Sequence, residues 1–186
     1  MKPYQPKGPL EPWPRRQSEP LGDFRIFSVR RDIASSPRTG GDHSFFILDA
    51  GQWINIVPVT EDDQVVLIEQ YRHGIQDFTL EIPGGLAESH EDDLAEAAGR
   101  ELLEETGYQA AEIVSLGSCH PNPAMQSNLC HFFLGKGCRK VADLNLDDGE
   151  DIHVVTYPVA QIPELVAAGH ITHSLVLAAL YRFALR

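Results

Sequence analysis

From Phe24 onward, apolar and polar positions follow two different periods. Phe24 to Arg30 alternates loosely, and Ser44 to Leu48 follows a turn at Pro37 to Asp42. Asp49-Ala50-Gly51 makes a tight connection to Trp53 to Val59, and Glu61-Asp62-Asp63 turns the chain into Gln64 to Tyr71. Phe78 to Ile82 is a further short run, closed by Pro83-Gly84-Gly85. These runs predict successive strands of antiparallel sheet. The period then changes. Leu94, Ala97, Ala98, Leu102 and Leu103 lie on one helical stripe, which predicts a helix from about Asp93 to Thr106, with Gly107 as its C-cap. Strands are expected again at Glu112 to Ser118, Leu129 to Gly135 and Asp151 to Tyr157, with an acidic loop at Ala142 to Glu150. Helices follow at Ala160 to Ala168, ended by Gly169, and at Ser174 to Ala184. Strands on both sides of helices, without regular alternation, imply an α+β (mixed α/β) fold.

Residues 1 to about 20 carry Pro3, Pro6, Pro9, Pro12, Pro14 and Pro20 and few apolar groups, so they read as an extended arm, with Trp13 the residue expected to dock. The 186 residues suit one domain beyond that arm. The longest apolar runs, such as Val65 to Ile68, are too short to cross a bilayer, and Met1 to Pro6 lacks the apolar stretch of a signal peptide. Cys119, Cys130 and Cys138 have no metal-ligand or redox spacing. Reduced thiols in a cytoplasmic protein are the expectation. Lys and Arg number 15 against 27 Asp and Glu, a net charge of −12 that disfavours long nucleic acid as a partner. A small phosphorylated substrate remains open, because divalent cations held by carboxylates invert the local field.

The chemistry concentrates on the first helix. Glu101 and Glu105 are four apart and so lie within about 40° of one helical face, where like charges repel unless something binds them. Oxygen clusters of this kind suit magnesium, which keeps several waters and takes further ligands from phosphate. Glutamates at this spacing also occur on plain solvated faces, so spacing alone does not decide. Arg100 and Glu104 are likewise four apart and are placed to pair. Pro83-Gly84-Gly85 offers a bend with an approachable backbone carbonyl.

The stretch from Gly85 to Tyr108 resembles the Nudix box, G-x5-E-x7-R-E-U-x-E-E-x-G-U, where U is apolar. Arg100 to Gly107 matches its second half in full, with Tyr108 in the last apolar place. The first half departs from the pattern: counting forward from Gly85 reaches Glu91, and counting back from Arg100 reaches Asp92, so one residue is inserted ahead of the helix. Asp92 has a second reading as a helix cap. Val65 to Arg72, Leu80 to Leu86, Glu150 to Ile152 and Gly169 to Thr172 are similar to the ADP-ribose pyrophosphatase branch of this superfamily. A proline about fifteen residues beyond the box goes with ADP-ribose preference in the family, and Pro123 lies fifteen after Tyr108.

The resemblance implies a Nudix fold, a mixed β-sheet sandwiched between helices with an N-terminal antiparallel strand extension. The expected division is an arm at 1–22, which has no counterpart in the resemblance, a strand region at 23–56 and a Nudix hydrolase domain at 57–186. The resemblance implies a pyrophosphatase that hydrolyses a nucleoside diphosphate derivative, ADP-ribose to AMP and ribose 5-phosphate, with magnesium (or manganese) as cofactor. Glu101 and Glu105 are the implied metal ligands, joined by Glu104 and the Gly84 carbonyl. The base that deprotonates water comes in this branch from an acidic loop after the box, which points to Glu150. Arg72 is a candidate phosphate contact, or else a salt-bridge partner for a neighbouring carboxylate. Glu81 is a candidate for substrate or metal contact, or an anchor of its strand end. Trp13 and Trp53 suit adenine stacking or plain packing. His120, Cys130 and His131 do not have a zinc spacing, and the Pro-bounded loop around Pro123 is read as shaping the substrate pocket. The branch also implies a homodimer. Another nucleotide sugar, a dinucleotide or a triphosphate as substrate, and a non-cleaving nucleotide sensor, are the alternative readings.

Overall fold

The continuous apolar run Val65 to Ile68 can be sheltered only where a strand is covered on both faces. In the computed structural model, which describes residues 4–87 and 93–186, all four of these side chains are buried at the centre of a mixed sheet. Two compact units are present, one of residues 1–51 and 119–129, the other of residues 52–118 and 130–186.

In the first unit, β1 (Arg15–Asp23), β2 (Phe27–Ser35) and β3 (Asp42–Ala50) form an antiparallel three-stranded sheet in that order. The arm expected over 1–22 therefore contains a strand. As an edge strand, β1 tolerates Pro20, where the β1–β2 register shifts. The strand region expected over 23–56 is divided too, because compact packing changes after Gly51. Asp32 accepts from Ser18 Oγ at 2.6 Å, and Arg30 pairs with both Asp32 and Asp49. Segment 119–129 joins this unit through Leu48 N–H to the Met125 carbonyl at 2.8 Å and Ser127 Oγ to Asp49 at 2.6 Å. Trp13 docks edge-on against His43 and Phe45.

In the second unit, β4 (Trp53–Thr60) and β5 (Gln64–Arg72) form a hairpin, followed by β6 (Asp77–Glu81) and β7 (Gly84–Leu86). Helix α1 (Leu94–Thr106) comes next, then β8 (Tyr108–Gln109), β9 (Glu112–Cys119), β10 (Cys130–Lys140) and β11 (Ile152–Pro158). A 3-10 turn at Val159–Gln161 leads into α2 (Ile162–Ala167), and α3 (Ser174–Ala184) closes the chain. Among the described residues the sheet runs β11-β5-β4-β10-β8, with β6 on β5, β7 on β4 and β9 on β10. The β4–β10 pair is parallel, and the β4–β5, β4–β7, β5–β6, β5–β11 and β8–β10 pairs are antiparallel.

The hairpin strands part company soon after their turn. They pair at Val59–Val65, after which β5 pairs with β6 (Ile68–Glu81 to Arg72–Asp77) and β4 with β7 (Trp53–Leu86 to Asn55–Gly84). Ile82 and Pro83 link β6 to β7, and the Pro83 carbonyl accepts from Ile56 N–H at 2.9 Å. Ile54, Ile56 and Phe133 pack with Ala97, Ala98 and Leu102 of α1. Side chains alternate along a strand, so Asn55 and Val57 face the other way from Ile54 and Ile56. Helix α3 also packs on β4 and β10, burying Leu175, Val176, Ala179, Leu180 and Phe183. The architecture is α+β, as the pattern of elements predicts. No helix among the described residues is long and apolar enough to cross a membrane.

Candidate active site

Helix α1 starts where Asp93 caps it, its carboxylate accepting from Ala95 N–H at 2.8 Å. The cap is thus Asp93; Glu91 and Asp92, the two candidates for the first box acid, lie outside the described residues. At the other end Gly107 adopts φ 73° and its N–H bonds the Leu103 carbonyl. A Cβ there would sit 2.1 Å from the Ala142 carbonyl oxygen, so both conformation and space require glycine.

One face of α1 buries Glu101 and Glu105, 9% and 3% exposed, beside the Ala97, Ala98 and Leu102 stripe. Both carboxylates converge on the Gly84-Gly85 segment. Glu105 Oε2 accepts from Gly84 N–H at 2.9 Å. A Cβ on Gly85 would lie 2.7 Å from Glu101 Oε1, and one on Gly84 would lie 2.3 Å from the Ile54 carbonyl oxygen. Two glycines are what let strand β7 and the carboxylates come this close. Arg100 donates to Glu101 at 3.0 Å and to Glu104 at 2.7 Å, the latter a pair one helical turn apart.

Burial pushes Glu105 up to about 8; the Gly84 N–H opposes this, while the charges of Glu101 and Glu150 add to it. Glu101 is raised for the same first reason, burial, against the pull of Arg100. Acids held so far from water want a cation. Among the described residues, no three His, Cys, Asp or Glu side chains gather as a metal centre. A pair of carboxylates nonetheless suits magnesium, which takes one or two carboxylates and completes its shell with water and phosphate oxygens.

The glycine segment borders a cavity of about 1070 Å³, whose wall includes Trp53, Asn55, Arg72, Glu81, Glu150 and His173. Glu81, 1% exposed, is the buried anion of that wall. Arg72 grips it with Nε and Nη2, both at 2.8 Å, Thr79 Oγ1 donates at 2.6 Å and His173 Nδ1 lies at 2.7 Å. Burial alone would raise the Glu81 carboxyl, but the bonds from Arg72, His173 and Thr79 outweigh it and hold the group well below the usual carboxylate range. Arg72 is raised in turn, first by its bond to Glu81 and further by the fields of Glu105 and Glu150.

Glu150 is exposed at the end of the acidic loop, which folds on itself: its N–H bonds the Asp147 carbonyl at 2.9 Å and its Oε2 accepts from Asp147 N–H at 3.0 Å. Of the residues singled out from the sequence, Gly84, Arg72, Glu81 and Glu150 therefore border one cavity, with Glu101 and Glu105 against its glycine wall. Glu104 faces Arg100 and is half-buried. Pro123 lies in an exposed turn of the other unit. Arg72 takes the salt-bridge alternative with two of its nitrogens. Thr79 and His173 were not singled out from the sequence. His173 lies 92 positions from Glu81, and no local pattern signals a bond across that separation.

A model of the NUDIX domain matches residues 53–180. The chain is 28% identical over 162 residues to an ADP-ribose pyrophosphatase of Mycobacterium tuberculosis, covering 87% of this chain and 78% of that protein. It is 27% identical over 140 residues to a methanol dehydrogenase activator of Bacillus methanolicus, covering 75% of each. The crystal structure of an ADP compounds hydrolase superposes with a TM-score of 0.83 at 22% identity, over 96% of this chain and 95% of that one, and so shares its fold. The chain belongs to the NUDIX domain family, as a hydrolase of the pyrophosphatase kind.

Proposed function

We propose that the protein hydrolyses the pyrophosphate bond of a nucleoside diphosphate derivative in a divalent-metal-dependent reaction, with ADP-ribose as substrate and AMP and ribose 5-phosphate as products. The observation that carries this is the convergence of Glu101 and Glu105, buried on one face of α1, upon the Gly84-Gly85 wall of the cavity. Magnesium (or manganese) fits these oxygens, with Glu104 and the Gly84 carbonyl as further ligands. When bound, such an ion neutralises diphosphate charge and makes water a better nucleophile.

The chain's own groups supply the rest. Arg72 keeps 44% of its side chain exposed while Glu81 fixes its plane, so its remaining N–H groups are presented to phosphate oxygens. Glu150, on the cavity rim, takes the proton of the attacking water. Trp53 in the wall offers an indole face to the adenine. The branch likeness supports a homodimer as the working state, in the cytoplasm, where reduced thiols are expected.

Incubation with magnesium and a panel of ADP-ribose, nucleotide sugars, dinucleotides and triphosphates tests this by product identity. AMP and ribose 5-phosphate from ADP-ribose at the highest kcat/KM support the assignment. Dominant release of pyrophosphate from triphosphates would overturn it.

A further inference from the structure

A carboxylate has two oxygens, each with two lone-pair directions. At Glu81 all four are taken: Oε1 by Arg72 Nε and Thr79 Oγ1, Oε2 by Arg72 Nη2 and His173 Nδ1. Glu81 thus has no lone pair left for a cation or a sugar hydroxyl, and it is almost fully buried. Its work is to hold the groups around it.

An ionised carboxylate only accepts, so His173 Nδ1 carries a proton. That assignment turns Nε2 to the far side of the ring from Glu81. Nε2 has no hydrogen bond among the described residues, the side chain is 35% exposed, and His173 lines the cavity. Arg72 is arranged the same way, with Nε and Nη2 on Glu81 and Nη1 without a hydrogen bond among the described residues. Thr172, His173, Ser174 and Leu175 all border the cavity, which brings the positive end of the eleven-residue helix α3 to the same wall. A guanidinium, an imidazole and a helix start gathered on one wall favour an anion.

We propose that His173 contacts the substrate's diphosphate through Nε2, as a second donor beside Arg72, with Glu81 as the positioning residue that aims both. A donor at Nε2 requires a proton on both ring nitrogens, the form that two flanking anions favour. The proposal rests on the cavity's being a nucleoside diphosphate site.

Two amide substitutions separate the two nitrogens. Asparagine places an N–H near the position of Nδ1 and nothing at Nε2; glutamine reaches the position of Nε2 and gives up the bond to Glu81. Steady-state kinetics with ADP-ribose and magnesium, on variants whose thermal melts remain cooperative, read the difference. H173N is expected to raise KM about tenfold or more, the worth of one charge-assisted hydrogen bond, with kcat changed much less. H173Q is expected to recover part of that loss. Wild-type KM in H173N would overturn the contact, whether H173Q is impaired (a role only in holding Glu81) or not. Should the wild type turn over no nucleoside diphosphate derivative, it is the proposed reaction that fails. The same variants are then compared by calorimetric binding of α,β-methylene-ADP, where equal affinity of H173N and wild type overturns the His173 contact.

Discussion

Replacing Glu105 with glutamine should make the metal-free protein more stable and the enzyme inactive. The carboxyl ordinarily titrates at 4.5, and in the fold burial moves it to about 8. Because the folded value is the higher one, the stability associated with the protonated group is fully present below 4.5 and is lost as pH rises toward 8. Each pH unit in that window is worth about 1.4 kcal/mol, so by pH 7 the metal-free fold has given up about 3 kcal/mol. Glutamine is neutral throughout, and its carbonyl can keep the bond from Gly84 N–H. In EDTA at pH 7, E105Q should therefore melt roughly 5–10 °C above wild type, with the gap closing below pH 5. Magnesium should raise the melting temperature of the wild type and leave E105Q nearly unmoved, since a ligand stabilises only the state that binds it. Turnover of E105Q should fall by orders of magnitude. Thermal melts over a pH series, with EDTA or magnesium, measure each of these. A variant that melts below wild type in EDTA at pH 7, or that gains as much from magnesium, would refute the reasoning.

The two glycines should respond differently to alanine. G84A drives a methyl into the Ile54 carbonyl, backbone that cannot yield, so a loss of cooperative melting or a large fall in melting temperature is expected. G85A meets only the end of the Glu101 side chain; the fold should survive while activity falls and the magnesium requirement rises, as a metal titration of turnover would show. E150Q should lower kcat by about 100-fold or more, the usual worth of a general base, and leave magnesium affinity within a few-fold of wild type. Unchanged kcat in E150Q would move the base elsewhere.

What the sequence made legible was what short-range periodicity encodes. The stripe Leu94 to Leu103, the Gly107 stop and the four-residue spacing of Glu101 and Glu105 each depend on neighbours within a turn or two, and each is found in α1. The run Val65 to Ile68 likewise announces a strand covered on both faces. Pairing across the chain is not written locally. Gly84-Gly85 reads as a bend, yet its backbone is a strand, because Asn55 and Ile54 lie opposite it and only glycine lets them approach. Residues 15–22 look like the end of an arm, since six prolines mark the first 20 residues, but an edge position demands hydrogen bonds on one side only. Arg72 read equally as a phosphate contact or a salt-bridge partner. The structure gives two of its nitrogens to Glu81 and leaves 44% of the side chain exposed, something side-chain type alone does not decide. His173 was invisible for the same reason: its partner is 92 positions away.

The central claim is that Glu101 and Glu105 together hold a divalent cation. Electron paramagnetic resonance of manganese titrated into the protein at pH 8 reads it directly, comparing wild type with the E101Q/E105Q double variant. The wild type should deplete the free-ion signal with saturable binding, and the double variant should leave that signal nearly at its protein-free level. Equal depletion by both would contradict the account.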